Sequence, residues 1–133
     1  MTIRIEKHAR LNPQPGDGYR LLVTRYWLRG LSRNNVNLWY KELAPSEKLL
    51  SQYSTYFKAD NSEEAQIAYH QVWSKMYRTE MNTQRELIDQ LAKRHLNGDT
   101  LTLLCACHST DRCHRTILAE LIEEAAKAIK VHE

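Results

Sequence analysis

The segment LLCACHSTDRCHR, residues 103–115, concentrates the side chains of this chain that are best suited to chemistry. It contains all three cysteines of the chain, two of its six histidines and two arginines. Thiolate and imidazole groups can bind a metal or act together in nucleophilic catalysis, and guanidinium groups can bind an anion. The segment therefore indicates one of three kinds of site: a metal site, a reactive thiol or an anion-binding site.

The residues after Asp111 are typical of the start of a helix. Aspartate can cap a helix, which places residues 112–115 in a first turn whose backbone N–H groups attract an anion. Arg112 and Arg115 would then bind a phosphate or carboxylate. Alternatively, these arginines pair with acidic residues such as Asp111 or Glu120. The pattern favours an anionic ligand, because basic side chains are otherwise mildly unfavourable at this end of a helix.

Cys113 and His114 are the candidate catalytic residues. A helix N-terminus, a histidine and nearby arginines together favour the thiolate form of cysteine, which is the nucleophilic form. His114 would transfer a proton or form a hydrogen bond. The alternative is that Cys113 is a small buried side chain in the first turn of a packing helix. The Cys-x5-Arg pattern of phosphocysteine phosphatases is absent, because no cysteine of this segment has an arginine six positions later.

If a metal is bound, its predicted ligands are Cys107, His108, Cys113 and His114. They supply the nitrogen and sulfur donors that zinc prefers. In an extended strand, the sulfur atoms of Cys105 and Cys107 would be roughly 6.6–6.8 Å apart, whereas two thiolates on one zinc are at most ~4.6 Å apart. We therefore assign Cys105 to the core. The Cys-x2-Cys spacing of zinc knuckles is absent, and no cofactor is strongly implied.

A second distinctive segment, TRYWLRG (24–30), follows the apolar run LLV. Its candidate ligand-binding residues are Arg25, Arg29 and Gly30. Arginines that recur every four residues could instead form a solvated stripe on a helix, but Gly30 and the SRNN that follows make a continuous helix unfavourable. Trp27 and Trp39 are interpreted as packing residues, although arginines interleaved with aromatic side chains are also compatible with nucleotide or single-stranded nucleic-acid binding.

Strands and helices alternate along the chain. One strand is predicted in YRLLVTRYW, from Tyr19 to its end at Thr24 and Arg25, and another is predicted in TLTLLCA (100–106). Short apolar runs such as Leu21 to Val23 are typical of strands buried on both faces. TIRIE (2–6) alternates as an edge strand does, and VNLWYKEL (36–43) is interpreted as irregular or as a helical turn. The order predicts an α/β fold with a small, mostly parallel sheet flanked by helices, helix-rich, in a single domain over residues 1–133.

Helix signals fill the sequence between the strands. Ser46 and either Asn61 or Ser62 are predicted N-caps, and Gly98 stands where a helix C-terminal glycine is expected. The last helix is predicted from about Cys113 to Lys130. Ligands of open α/β sheets bind beyond the carboxyl ends of the strands. If the two apolar strands are parallel neighbours, the two chemically distinctive segments share one edge of the sheet, and this convergence predicts a site there.

The bulk properties restrict the class of protein. The net charge of +3 is too small to indicate nucleic-acid binding by itself. No apolar run approaches the roughly 18 residues that span a bilayer, and the N-terminal segment lacks the apolar centre of a signal peptide. Three cysteines are not a secreted disulfide framework. We therefore expect a cytoplasmic protein with no membrane partner, and long amphipathic helices in so small a domain are compatible with a homodimer.

Two stretches, PGDGYRLLVTRYWLRGLSRNNVNLWYKELAPS (15–46) and LTLLCAC…CHRTILAEL (101–121), resemble domain-of-unknown-function family 488, the YeaO-like proteins. The resemblance covers most of the chain. It implies a small bacterial or archaeal cytoplasmic α/β protein and supports the two-segment site, without implying a reaction. The positions of the first stretch that fit the family pattern are Arg25, Trp27, Arg29, Gly30, Trp39, Leu43, Ala44 and Pro45.

Some residues depart from the pattern that the resemblance implies. Thr24 stands where relatives usually carry Asp, which removes the best candidate for a general base, and Leu28 replaces a usual Pro. The run Cys113-His114-Arg115 resembles the Cys-His-Arg form of the family. Relatives with Asn-His at these positions speak against an obligatory thiol nucleophile.

The sequence therefore predicts a site that binds an anionic, phosphate- or nucleotide-like ligand at the carboxyl ends of the strands. Its ligand-binding residues would be Arg25, Arg29, Gly30, Arg112 and Arg115. Two alternatives stay open: a nucleic-acid-binding or accessory module that uses the same arginines, and a metal- or redox-sensing protein. Whether the protein is an enzyme is left open.

Overall fold

A four-stranded parallel sheet forms the centre of the molecule. The structure, a computed structural model, describes residues 3–59, 62–106 and 113–131. The strands are β1 (Ile3–Arg4), β2 (Tyr19–Leu22), β3 (Leu38–Trp39) and β4 (Leu101–Leu104). They lie in the order β1-β4-β2-β3, and each neighbouring pair is parallel. The predicted α/β fold with a small parallel sheet is confirmed.

Four α-helices accompany the sheet in the described part of the chain: α1 (Glu47–Ala59), α2 (Glu63–Met81), α3 (Arg85–Leu96) and α4 (His114–Val131). None of them combines the length and the apolar character needed to cross a bilayer. A single 3-10 turn at 82–84 separates α2 from α3. The helices therefore occupy the segments in which the sequence predicted them.

The helix ends follow the predicted capping chemistry. Ser46 Oγ accepts a hydrogen bond from the Leu49 amide at 3.2 Å, and Ser62 Oγ accepts one from the Ala65 amide at 3.2 Å. Gly98, just beyond α3, has a φ of +97°, a conformation that favours glycine. The caps predicted at Ser46, Ser62 and Gly98 are confirmed, and Asn61, the alternative to Ser62, lies outside the described residues.

The central strands β2 and β4 are buried on both faces. Leu21 and Leu103 belong to a large core cluster that contains side chains from all four helices. Leu22 and Leu104 point to the opposite face and form a smaller cluster with residues of the connecting segments: Ala9 and Leu31, with Trp27, Leu28 and Val36 packed against them. The sheet is thus covered by helices on one side and by loop residues on the other.

Strand β3 differs from the sequence interpretation. The stretch 36–43 was expected to be irregular or a helical turn. Its first part pairs with β2 through Leu21↔Leu38 and Leu22↔Trp39, and only Lys41–Leu43 forms a 3-10 turn. A strand of two residues at a sheet edge is too short to show a pattern of alternation, so the expectation was wrong for Leu38–Trp39.

The start of β2 is fixed by a close approach of two backbone segments. The Tyr19 amide donates to the Thr100 carbonyl at 2.9 Å. Gly18, with a φ of +65°, lies so close to this carbonyl that an added Cβ would be 2.2 Å from the Thr100 oxygen. Only glycine tolerates both the conformation and the contact, so Gly18 helps to set the register of β2 against β4.

A buried ionic cluster around Asp17 joins β1, β2 and β4. The Asp17 carboxylate is within 3.2 Å of Arg4, 3.0 Å of Lys7 and 2.6 Å of Arg20. The Thr102 hydroxyl donates to the Asp17 carbonyl at 2.6 Å. Because Asp17 and Arg20 are both almost fully buried, water screens their ion pair only weakly. The Arg4 ion pair and the Thr102 hydrogen bond connect this pair to β1 and β4.

Candidate thiol site at the carboxyl edge of the sheet

The carboxyl ends of β2 and β4 lie side by side at one edge of the sheet. The two strands pair from Tyr19↔Leu101 to Leu22↔Leu104. Beyond the last pair, the Val23 amide donates to the Leu104 carbonyl at 3.0 Å. The prediction that the two strands are parallel neighbours is confirmed, so the segments that follow them leave from the same edge.

Cys105 extends β4 by one residue through a bridge to His8. The Ala9 amide donates to the Cys105 carbonyl at 3.0 Å, and the Cys105 side chain is buried. The prediction that Cys105 is a core residue is therefore confirmed. Because side chains alternate along a strand, Cys105 shares the helix-covered face with Leu103.

Cys113 and His114 lie at the start of α4, and both are buried. His114 Nε2 is 2.6 Å from the Val23 carbonyl oxygen. A carbonyl oxygen only accepts, so Nε2 carries the hydrogen and Nδ1 of the neutral ring keeps its lone pair. Nδ1 lies 3.8 Å from Cys113 Sγ. The end of β2 thus orients an imidazole that faces a thiol.

Arg115 directs its guanidinium group towards Cys113. Its Nε donates to Cys113 Sγ at 3.3 Å, and its Nη1 donates to the Lys7 carbonyl at 2.5 Å. A guanidinium hydrogen bond stabilises a sulfur that carries negative charge. Arg115 was predicted to bind the ligand. It is 1% exposed and acts on the thiol, so its direct contact with a ligand stays a prediction.

Tyr77 forms a wall of the site from α2. Its ring packs edge-on against the His114 imidazole at a centroid distance of 5.6 Å, and its hydroxyl donates to the Leu43 carbonyl at 2.6 Å. Burial raises the pKa of Tyr77 well above its usual 10. The negative charges that Cys113, Glu80 and Cys105 carry when they are ionised raise this pKa further. The phenol therefore stays neutral next to the thiols.

Three possible metal donors meet in this site. One ligand atom from each of Cys105, Cys113 and His114 lies within 4.8 Å of the other two. The sequence interpretation had paired Cys113 and His114 with Cys107 and His108 and had assigned Cys105 to the core alone. The juxtaposition of Cys105 with Cys113 arises from the packing of α4 on β4, which the Cys-x-Cys spacing does not reveal.

Arg25 and Arg29, the predicted ligand-binding arginines of the first segment, occupy different environments. Arg25 Nε donates to the Pro45 carbonyl at 2.9 Å, beside a cavity of about 240 Å³ near the start of α1. Arg29 is exposed, and its carbonyl accepts from the Arg10 guanidinium at 3.2 Å. Gly30 has a φ of +77°, which confirms the break in helical character there. The hydrogen bonds described for Arg25 and Arg29 thus join them to Pro45 and Arg10. Their direct contact with a ligand stays a prediction.

Four residues of the predicted site and its metal alternative lie outside the described part of the chain: Cys107, His108, Asp111 and Arg112. Their predicted roles as metal ligands, helix cap and anion-binding residue stay predictions.

Sequence reasoning missed several groups of the site. The carbonyls of Val23 and Lys7 carry no sequence signal, because any residue offers a carbonyl. Cys105 could have been found. Its side chain lies on the same face of β4 as Leu101 and Leu103, so it faces whichever helix covers that side of the sheet.

An open groove lies near this edge of the sheet, along β3. It encloses about 570 Å³ and is lined by Trp27, Arg33, Val36, Asn37, Leu38 and Trp39. The rings of Trp27 and Trp39 meet edge to face at 5.6 Å. Their indole N–H groups donate to the carbonyls of Leu31 and Thr24. Trp27 packs against the smaller core cluster, as the packing interpretation predicted, whereas Trp39 is exposed.

The fold and the site together define a parallel α/β domain with a buried thiol–imidazole pair at the carboxyl edge of its sheet. The chain belongs to the active DUF488-N3 subclade, whose sequence profile matches residues 3–126. The family resemblance inferred from the stretches 15–46 and 101–121 is therefore confirmed.

Several bacterial proteins are similar to most of the chain. It is 29% identical over 112 residues to the uncharacterized protein YeaO of Escherichia coli strain K12, covering 80% of this chain and 85% of that protein. It is 28% identical over 111 residues to uncharacterized proteins of Mycobacterium tuberculosis and Mycobacterium bovis, covering 81% of this chain and 83% of each relative. No solved structure matches the chain.

Proposed function

We propose that the protein is a cytoplasmic protein that binds a phosphate- or nucleotide-like anion at the carboxyl edge of its sheet, with Cys113 and His114 as a reactive pair. The observation that carries this proposal is the contact chain from the Val23 carbonyl through His114 to Cys113, with distances of 2.6 and 3.8 Å. This chain joins the end of β2 to the start of α4, and ligands of open parallel sheets bind at such a position.

Basic groups around this edge are suited to an anion. The start of an 18-residue helix contributes backbone N–H groups and the positive end of its dipole. Arg25 and Arg29 follow β2 in the sequence, and Arg112 precedes the helix. Arg115 supplies positive charge from within, at the sulfur. The positive φ of Gly30 lets the backbone turn within the arginine segment.

The chemistry proposed for the pair follows from the orientation of the imidazole. With Nε2–H held by the Val23 carbonyl, Nδ1 can accept the thiol proton of Cys113. A nucleophile, a base and a group that orients the base are the elements of an activated thiol. If the anionic ligand has an electrophilic centre that carries a leaving group, Sγ would form a bond to that centre while the bond to the leaving group breaks with its electron pair. The thiol proton would move to Nδ1 and could then pass to the leaving group.

Inorganic phosphate and nucleoside phosphates are expected to raise the thermal unfolding midpoint of the protein. At ten times its dissociation constant, a ligand specific for the folded state adds about 1.4 kcal/mol of stability. For a domain of this size that corresponds to a rise of roughly 4 °C. Arg29→Ala is expected to remove most of the rise, because Arg29 is exposed and available to a ligand. Scanning calorimetry at constant ionic strength measures the effect.

Arg33→Ala is the matched control, since Arg33 is another exposed arginine of the same connecting segment and lies outside the proposed anion site. Phosphate also stabilises proteins by exclusion from their surfaces, an effect that all variants share. The difference between the two variants therefore isolates specific binding. Equal rises in Arg29→Ala and Arg33→Ala would contradict an anion site that uses Arg29.

A second candidate function, binding of single-stranded nucleic acid, is favoured by the groove along β3. Trp39 is 39% exposed, and the Lys41 ammonium lies 5.9 Å from the centre of its ring. Arg33 lines the same groove. Nucleic-acid bases stack on exposed aromatic rings, while nearby basic residues bind the phosphates.

This second function predicts salt-dependent binding of single-stranded DNA or RNA. Removing one stacking ring costs about 1–3 kcal/mol, so Trp39→Ala is expected to weaken binding by roughly 5- to 150-fold. Trp39→Phe is the control, because it loses the same indole hydrogen bond to Thr24 but keeps an aromatic face. Fluorescence anisotropy of a labelled oligonucleotide at two salt concentrations measures both variants. Equal affinities of Trp39→Ala and the unmodified protein would rule out stacking on this ring.

A further inference from the structure

We propose that Cys105, Cys113 and His114 form a binding site for a thiophilic divalent cation, of which zinc is the best match. One donor atom of each residue lies within 4.8 Å of the others, and the side chains are 4%, 1% and 6% exposed. Two thiolates and one imidazole are donors that zinc prefers. The inference goes beyond anion binding, because its ligand is a metal and because Cys105 has no part in the anion proposal.

The donor spacing is close to that of tetrahedral zinc. With Zn–S bonds of about 2.3 Å and Zn–N bonds of about 2.0–2.1 Å, neighbouring donors lie about 3.6–3.8 Å apart. The distance from Cys113 Sγ to His114 Nδ1 is already 3.8 Å. Since no donor pair exceeds 4.8 Å, adjustments of up to about 1 Å by the side chains would complete the geometry.

The orientation of His114 is the second observation in favour of a metal. A metal-binding histidine usually donates its other ring N–H to a carbonyl or carboxylate, which fixes the tautomer and aims the free nitrogen at the ion. His114 Nε2 is held by the Val23 carbonyl at 2.6 Å in this way, and Nδ1 faces Cys113 Sγ. Arg115 Nε, at 3.3 Å from the same sulfur, stabilises its thiolate form.

The donors lie at the ends of two elements that belong to the main core cluster. Cys105 directly follows β4, and Cys113 directly precedes α4, which begins at His114. Residues of α4 share the main core cluster with β4. Donors on packed elements are held more accurately than donors on loops. This set is different from the set Cys107, His108, Cys113 and His114 that the sequence indicated.

Occupation by zinc would change the chemistry of the edge. Three protein donors leave a fourth coordination position for water or an anionic ligand. The two thiols release their protons to solvent as they coordinate. A coordinated Cys113 is no longer available as a nucleophile, so metal binding and alkylation of Cys113 exclude one another.

Cobalt(II), which adopts the same coordination as zinc and absorbs light, is the direct probe. Titration of the metal-free, reduced protein with Co²⁺ alone is expected to produce one equivalent of a species with sulfur-to-cobalt charge-transfer bands and the visible bands of a tetrahedral ion. Added zinc is expected to bleach them. Cys105→Ser is expected to lower the affinity by more than about tenfold, since even the loss of a supporting group outside the coordination sphere costs that much.

Cys107→Ser is the matched control. It removes the neighbouring cysteine that the sequence placed among the metal ligands, and it is expected to keep the cobalt spectrum. Retention of the spectrum in Cys105→Ser together with its loss in Cys107→Ser would overturn the proposed ligand set. Absence of sulfur-to-cobalt bands in the unmodified protein would overturn the metal site itself.

A measurement on the unmodified chain keeps the proposal testable if a variant fails to fold. Zinc is expected to protect Cys105 and Cys113, but not Cys107, from alkylation, with the sites identified by mass spectrometry of the digested protein. Protection of Cys107 with reaction at Cys105 would contradict the site. Because metal is the only probe, this outcome is independent of phosphate binding, and a failure of the anion proposal leaves it unchanged.

Discussion

Replacing Asp17 by asparagine is expected to lower the free energy of unfolding by about 3 kcal/mol, the range seen when one partner of a buried charge cluster is removed. The Asp17 carboxylate accepts hydrogen bonds from the side chains of Arg20 at 2.6 Å, Lys7 at 3.0 Å and Arg4 at 3.2 Å. The backbone amide of Gln14 also donates to it, at 3.0 Å. In Asp17→Asn, the buried guanidinium group of Arg20 would have lost the carboxylate with which it pairs. Urea unfolding at neutral pH measures the loss.

The same carboxylate predicts an acid limit to stability. Burial by itself would raise the pKa of Asp17, but hydrogen bonds from the Gln14 amide, Lys7 and Arg20 outweigh it and lower the pKa from 3.8 to about 2. A carboxyl group whose pKa is lower in the folded state than in the unfolded state stabilises the protein at any pH above its unfolded-state pKa. This stabilisation is lost as the pH falls through the folded-state pKa. The contribution of Asp17 is therefore complete above about pH 4 and disappears towards pH 2. In Asp17→Asn this part of the pH dependence is expected to be absent.

Glu6→Gln is the control for both measurements. Glu6 pairs with Arg4, one of the cations that also contacts Asp17, but its side chain is 57% exposed. An exposed pair contributes about 0–1 kcal/mol, so the control is expected to change stability little. A loss in Asp17→Asn no larger than that of Glu6→Gln would contradict the structural role assigned to the cluster.

Replacing His114 by alanine is expected to slow the alkylation of Cys113 by iodoacetamide about tenfold or more, within the usual contribution of a positioned base. The expectation rests on the 3.8 Å contact of Nδ1 with Sγ and on the Val23 carbonyl that fixes the ring. The measurement is the rate of modification at each cysteine, followed by mass spectrometry in buffer that contains a chelator and no metal.

Cys105 is the internal control for this reaction. It is 4% exposed and Cys113 is 1% exposed, so both sulfurs react only when the site opens. The Cys105 rate in each variant therefore shows whether the substitution changes how often the site opens. His95→Ala, a change in α3, controls for the loss of a histidine elsewhere. A Cys113 rate in His114→Ala equal to that in His95→Ala would show that the imidazole does not activate the thiol.

Much of the fold was predictable because local patterns determine it. The apolar runs of β2 and β4 have no other stable position than a sheet centre, and Ser46, Ser62 and Gly98 carry their capping chemistry in their own side chains or backbones. Strand β3 was missed because its two residues join the sheet by pairing with β2, and pairing between distant segments has no local signal.

The site was predictable only in part, for the same reason. Parallel strands must place their carboxyl ends at one edge, which led from sequence to the neighbourhood of residues 24–30 and 113–115. The partners of each group could not be predicted, because they depend on tertiary packing. Arg115 donates hydrogen bonds to Cys113 and to the Lys7 carbonyl inside the protein. Cys105 lies close to Cys113 across the interface of β4 and α4.

The Asp17 cluster illustrates a further limit. In the sequence, Asp17 is one residue of a turn-rich stretch, PGDG, and its three cations are spread over positions 4 to 20. Their convergence requires β1 and β2 to lie on either side of β4, a topology that no spacing in the sequence specifies.

The central claim, a reactive thiol beside an anion site, is tested most directly by the ratio of the rates at which iodoacetate and iodoacetamide modify Cys113. Iodoacetate is an anion and iodoacetamide is neutral, so the ratio reports how strongly the groups around Cys113 attract an anion. The ratio is predicted to be higher in the folded protein than in the denatured chain and to fall when phosphate is added at constant ionic strength. A folded-state ratio at or below that of the denatured chain, unchanged by phosphate, would contradict the claim.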